Sequence, residues 1–209
     1  MTEDLAPTLH PVEIGTLRPT QMTVGLREVD RKRAEWRKRA ERDGPDFLGS
    51  HMIPVVLGPK SVPYVIDHHH LARALHEEGV SHVLVSVVAD LHFLKKAVFW
   101  TFMDNRNWLH PFDAEGIRQS YDKLPKRISG MKDDPYRSLA GEVRRSGGYA
   151  KDNTPYSEFL WADFLRRRIS IRLVTNNFER AVDKALAAAG QHEASYLAGW
   201  CGRSDDTNR

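Results

Sequence analysis

Apolar positions recur along the chain in two periods, and the changes between them mark out its elements. Residues 11 to 18 read as a short opening strand, after which Pro19 and Thr20 lead to a turn around Gly25. From Val29 the period becomes helical: Val29, Trp36 and Ala40 fall near one face, while Arg31, Lys32, Arg33, Arg37, Lys38 and Arg39 cover the rest. The most regular stretch follows. Ile53 to Leu57 reads as a strand, Gly58-Pro59-Lys60 as a turn, and Pro63 to Asp67 as a second strand at hairpin distance. A helix over 69 to 78, stopped by Gly79, leads into 82 to 91, whose β-branched run predicts a strand buried on both faces. Residues 92 to 103 read as an apolar helix, with Leu94, Val98 and Phe102 at four-residue spacing.

Beyond Asn105 the pattern shifts to loops and short helices rich in aromatic and charged residues. Asp134 before Pro135 is a helix start with proline at its first position, and Tyr136, Leu139 and Val143 then face inward. Glu158 to Ile169 reads as an amphipathic core helix with a basic end, and Asn177 to Ala189 as a last helix ending at Gly190. The expectation is an α/β (α+β) chain: a small mixed-sheet core over 10–105, and a mostly helical C-terminal subdomain over 106–209 packed on it.

Composition narrows the function classes. With 41% hydrophobic residues the chain can bury a core and is expected to fold as a soluble globule. The 31 Lys and Arg against 28 Asp and Glu leave a net charge of only +3, so any anion site must be local. One cysteine, Cys201, excludes an intramolecular disulfide framework and points to a reducing compartment. The first residues carry acids and prolines rather than a basic then an apolar run, and no stretch reaches the ~20 apolar residues of a membrane span. A cytoplasmic protein without membrane contact is expected.

The chemistry concentrates in Val65-Ile-Asp-His-His-His-Leu-Ala-Arg73, where a strand turns into a helix. A helix start offers backbone N–H groups and the positive end of the macrodipole, a natural seat for phosphate. His69 and His70 are placed to donate to phosphoryl oxygens, His68 adjoins them, and Arg73 follows a turn later. Asp67 is placed as a general base or as a ligand of nucleotide-bound Mg²⁺ or Mn²⁺. Asp67 also serves as a plain N-cap in the simplest reading. A histidine-held transition metal is a further reading, but adjacent helical residues diverge by ~100°, so at most two of the three imidazoles could join Asp67 on one ion. Asp67-His68-His69 also spells the signature of the DHH phosphoesterases, which need an earlier cluster of aspartates; residues 10 to 20 contain none.

Two motifs in order, Leu17-Arg-Pro-Thr-Gln-Met-Thr-Val-Gly25 and residues 65 to 75, resemble the ParB-like nucleases, a branch of the superfamily of the ParB N-terminal domain, sulfiredoxin and the free serine kinases. Asp133-Asp-Pro-Tyr-Arg-Ser-Leu-Ala140 extends the resemblance, which spans residue 10 to about 170. Pro19 and Gln21 match the first motif; Asp67 and His69 match the Asp and His of the superfamily's strand-turn-helix phosphate motif. His68 stands where that motif often has glycine, and Leu71 where arginine is usual. Gln21 stands where the kinases have a glutamate base. The resemblance implies a ParB/sulfiredoxin-like core and a hydrolase acting on phosphodiesters, or a phosphotransferase or NTPase, that binds a nucleotide or phosphorylated small molecule. Asp67, His69 and His70 would be catalytic. Thr20, Gln21, His68, Arg73 and Arg137 would surround the phosphate, with Arg144 and Arg145 adding charge. The alternative is a non-catalytic DNA-binding partitioning or regulatory module, its basic helix 29 to 42 and Arg166 to Arg168 on DNA phosphates.

Overall fold

A computed structural model describes residues 9–43 and 52–202. By its contacts the chain divides into two compact units, Met1–Val24 with Val29–Lys132, and Gly25–Glu28 with Asp133–Arg209. The division therefore falls at Lys132 rather than at 105. Residues 106–131 carry two 3-10 turns, Tyr121–Lys123 and Ile128–Gly130, and isolated bridges at His110, Phe112 and Arg118, and group with the first unit. Their loop-rich composition was readable; their allegiance is set by long-range contacts.

The first unit holds a five-stranded mixed sheet. Its strands are β1 (Leu9–Glu13), β2 (Arg18–Pro19), β4 (Ile53–Gly58), β5 (Val62–Val65) and β6 (His82–Asp90), in the order β1-β6-β4-β5-β2. A further short strand, β3 (Thr23–Val24), follows β2. β4 pairs antiparallel with β5 and parallel with β6, while β1 is antiparallel to β6 and β2 parallel to β5. The expected single opening strand is thus two strands on opposite edges, because the 3-10 turn Ile14–Thr16 breaks it at Gly15. This link forces curvature. Four inter-strand spacings of ~4.8 Å would separate the edges of a flat sheet by about 19 Å. The step from Glu13 to Arg18 spans about 17 Å only when fully extended, and a 3-10 turn shortens it. The sheet curls so that its edges approach.

Helix α1 (Leu26–Asp43) begins earlier than Val29, which is buried. Helix α2 (His69–Glu77) runs between β5 and β6 and stops at Gly79, whose φ is +74°. β6 is not buried on both faces: Val83 and Val85 alternate inward, while Val88 is half exposed. Helix α3 (Lys96–Asn105) buries Phe99, Trp100 and Met103 and leaves Val98 and Phe102 exposed. An almost uniformly apolar helix gives periodicity no face to choose, and aromatic packing chooses instead. Tyr64 lies 4.9 Å from Phe99 and 5.2 Å from Trp100, centroid to centroid. Only a glycine at 58 admits this cluster, since a Cβ there would fall 2.5 Å from the Tyr64 ring.

The basic face of α1 is partly spoken for within the first unit. Arg33 and Arg37 grip Glu78 at the end of α2 with contacts of 2.6 and 2.7 Å, and Arg31 pairs with Glu35.

In the second unit, β7 (Lys132–Asp133) leads from the first unit into α4 (Pro135–Arg145), followed by α5 (Ser157–Arg166), α6 (Ile171–Asn176) and α7 (Phe178–Ala189). Asp134 caps α4 by accepting from the Tyr136 N–H at 3.0 Å, and Tyr136, Leu139 and Val143 are buried as their spacing requires. Tyr149 stacks on Trp161 at 4.2 Å in the middle of this core. Gly25 meets α4 so closely that a Cβ would lie 2.5 Å from Ser138 Oγ. Among the described residues no helix is long and apolar enough to cross a membrane.

The two guanidinium groups hold the Glu78 carboxyl down at about 2, against an ordinary 4.5. A carboxyl depressed on folding stabilises the fold above its unfolded value and loses that contribution as pH falls through the folded one. The difference in urea midpoint between the wild type and Glu78→Gln is therefore expected to be full at neutral pH and to vanish between about 4.5 and 2.

Candidate functional site

The strand-to-helix turn is built on one histidine. His69 falls three residues before Ala72 and six before Leu75, on the buried face of α2, and is 2% exposed. Its Nε2 accepts the Thr20 N–H at 3.2 Å, so in the neutral ring the proton sits on Nδ1. The buried Thr20 hydroxyl donates to the Val65 carbonyl at 2.7 Å and lies 3.4 Å from the same Nε2. The two sequence motifs thus meet: Thr20 ties the end of β5 to the start of α2.

Between these fixed points the backbone must turn sharply. His68 takes the left-handed conformation, φ 62° and ψ 28°, and its carbonyl accepts the Ala72 N–H at 2.9 Å to open the helix. Its Nδ1 lies 3.1 Å from the Met52 carbonyl, which makes that nitrogen the donor. Asp67 projects into solvent. One of its oxygens accepts the His68 N–H at 2.6 Å and the other lies 4.0 Å from His68 Nε2. Asp67 is therefore not a standard cap reaching into the first turn, and His68 occupies the cap position without a side-chain bond to the helix it opens. His70 is half-buried on the first turn.

Other candidate residues take different places. Gln21 is buried and bridges to His110, whose N–H donates to the Thr20 carbonyl at 2.9 Å. The Arg73 guanidinium, expected at a phosphate, instead donates to the carbonyls of Met131 at 2.8 Å and Ser129 at 3.1 Å and to Glu77 at 2.6 Å. It braces α2 against the loop within the first unit. Arg137 belongs to the second unit, where it is buried with its guanidinium 3.7 Å from the Phe159 ring centroid. Burial pushes its pKa down, opposed by Glu158 and Asp134. Arg144 pairs with Glu158, and Arg145 with Glu28 and Glu142. Arg166 grips the buried Asp134 at 2.6 Å. Desolvation raises the Asp134 carboxyl above its usual value against the pull of Arg166 and Arg137.

His110 carried no signal of its own in the sequence. It enters only because its backbone lies against Thr20, and its ring stacks on Phe112 at 4.4 Å.

A family model described as "Putative ParB-like nuclease" matches residues 10–167. The chain belongs to this family. The match covers both motifs, the turn and the start of the second unit. A search of solved structures finds "Crystal structure of protein Atu1540 from Agrobacterium tumefaciens", 52% identical, covering 95% of this chain and 99% of that one with a TM-score of 0.89. No curated protein matches.

For this ParB-like protein, the left-handed backbone of the turn falls on a non-glycine residue, His68. An L-residue there costs about 1–2 kcal/mol. His68→Gly is expected to leave the melting temperature unchanged or raised. His68→Val, which keeps the strain and loses the Met52 contact, should lower it. A glycine variant less stable than the valine one would contradict this reading.

Proposed function

We propose that the Asp67–His70 turn binds the phosphate of a nucleotide or phosphodiester and that this ParB-like nuclease family member hydrolyses or transfers the phosphoryl group there. The observation that carries the reading is the exposed Asp67 carboxylate beside the first turn of α2, on a backbone pinned from both sides by Thr20 and His69. Helix-start amides and imidazole N–H groups suit phosphoryl oxygens, and their preorganisation is what stabilises developing charge.

In this mechanism Asp67 accepts the proton of the attacking water or hydroxyl. The first-turn amides and the His70 ring receive the charge that builds on the phosphoryl oxygens, while the His68 ring, its Nδ1 proton given to the Met52 carbonyl, adjoins them. His69, being buried, acts by position: it holds the turn. Thr20 and Gln21 support the same place from the first motif, and Arg73 steadies the far side of α2.

Among the described residues no group of three or more His, Cys, Asp or Glu is placed to hold a metal ion. A Mg²⁺ or Mn²⁺ ion arriving with the ligand would be held by Asp67, in place of that residue's role as base, and would supply charge neutralisation at the phosphate. The DNA-module alternative has less support, because Arg33, Arg37 and Arg166 are already engaged with Glu78 and Asp134.

Thermal-shift measurements with nucleotides, with and without Mg²⁺ or Mn²⁺, test the proposal. A nucleotide at ~100 times its Kd should stabilise the wild type by about 2.7 kcal/mol. Asp67→Ala is expected to abolish the metal-dependent part of the shift without lowering the ligand-free melting temperature, since the Asp67 side chain is exposed. An equal shift in that variant would contradict the assignment.

A further inference from the structure

A second concentration of chemistry lies elsewhere in the first unit, where the curled sheet opens. A cleft of about 580 Å³ is lined by the Ile14–Thr16 turn, the start of β2, the β4–β5 hairpin and the loop before Ile128. Its polar lining is Thr16, Arg18, Lys60, Ser61, Lys126 and Arg127, and no carboxylate is among its described lining residues. Four cations line the cleft, and with only the Glu13 carboxylate standing beside the lining residue Gly15 they leave a positive local field in a chain whose net charge is only +3.

The construction favours a ligand over an idle surface. Arg18 donates to the Lys126 carbonyl, so one of its five N–H groups fixes the loop that carries the next two cations. At the hairpin, Lys60 and Ser61 both stand in the left-handed region, with φ of 63° and 55°. Such a turn is the domain of Asn-Gly and Gly-Gly pairs, and strain kept in non-glycine residues concentrates where side chains are used. Here the strained pair contributes an ammonium and a hydroxyl to the cleft.

We infer that this cleft is a phosphate site separate from the Asp67 turn, and that it takes the sugar-phosphate backbone of a nucleic-acid strand. Several cations spread over three chain segments suit repeated charges along one ligand better than a single small anion. Arg and Lys side chains together serve phosphate, Arg by its planar fork and Lys as a point charge. β5 leads from one place toward the other: Val62 lines the cleft and Asp67 lies five residues on, at most about 17 Å at ~3.3 Å per residue. That is the length of about five stacked nucleotides at ~3.4 Å each. The cleft stands on its own residues, and Asp67 takes no part in it.

Fluorescence anisotropy of the full chain with a labelled single-stranded oligonucleotide, titrated with salt, tests this. Each phosphate contact contributes about 0.7 to the slope of log K against log salt, so Lys126→Gln/Arg127→Gln should reduce the slope by about 1.4 and weaken low-salt binding about tenfold. Both residues are exposed, and circular dichroism checks that the variant is folded. Lys60→Gln provides an independent second variant with a reduction of about 0.7. The metal-dependent nucleotide thermal shift of Lys126→Gln/Arg127→Gln should equal that of the wild type, which separates failure of this proposal from failure of the catalytic one. The inference is overturned by absence of low-salt binding or by slopes unchanged in both cleft variants. Equal binding of poly-glutamate, or full displacement of the oligonucleotide by inorganic phosphate or a mononucleotide, overturns it as well.

Discussion

The hydrogen bond from the Thr20 amide to the buried Nε2 of His69 fixes the geometry on which the turn depends. A net buried hydrogen bond contributes only about 1 kcal/mol, but its loss would leave an amide and a ring nitrogen inside the fold without their partners, at about 1–3 kcal/mol each. The Thr20 hydroxyl binds the Val65 carbonyl at the other end of the turn. With both ends held by one residue, the intervening backbone has little choice. His68 is forced left-handed, and Asp67 is left facing solvent. A residue of the first motif therefore acts as the scaffold of the second, which accounts physically for the two motifs occurring together.

Curvature of the sheet is the next constraint. Because four residues join strands on opposite edges, the sheet cannot lie flat, and its open end brings Thr16, Arg18 and the β4–β5 hairpin into one cleft. The loop over 106–131 completes this unit. It carries His110 against Thr20, offers carbonyls to Arg73, and places Lys126 and Arg127 at the cleft. A connection of that length without regular helix or strand is uncommon unless it is used.

Much of this was legible in the sequence where local chemistry decides. The hairpin, α2 with its glycine stop, the Asp134-Pro135 helix start and the last helix were all readable from turn residues and period, and the ParB-like family from the two motifs. What failed was decided by distant contacts. The opening strand split because its halves pair with β6 and β5, partners some 50 to 75 residues away in sequence, as with Val12 opposite Val83 and Pro19 opposite Val65. In α3, whose stretch from Ala97 to Met103 is apolar except for Thr101, the aromatic neighbours of Phe99 and Trp100 chose the face. Within the turn, the spacing of His69, Ala72 and Leu75 was a signal that His69 points inward while its neighbours do not. The charged candidates were the least legible, because Arg73 and Arg137 find carbonyls and a ring that nothing near them in sequence announces.

The central claim is that His69 supports the turn by accepting the Thr20 amide. Long-range ¹H–¹⁵N correlation spectra of the histidine rings at neutral pH test it most directly. The account predicts that His69 is a single neutral tautomer with its proton on Nδ1 and Nε2 coupled to the Thr20 amide, a pattern that Thr20→Pro abolishes. A proton on Nε2, or a His69 ring averaging between tautomers as an exposed histidine does, would contradict it.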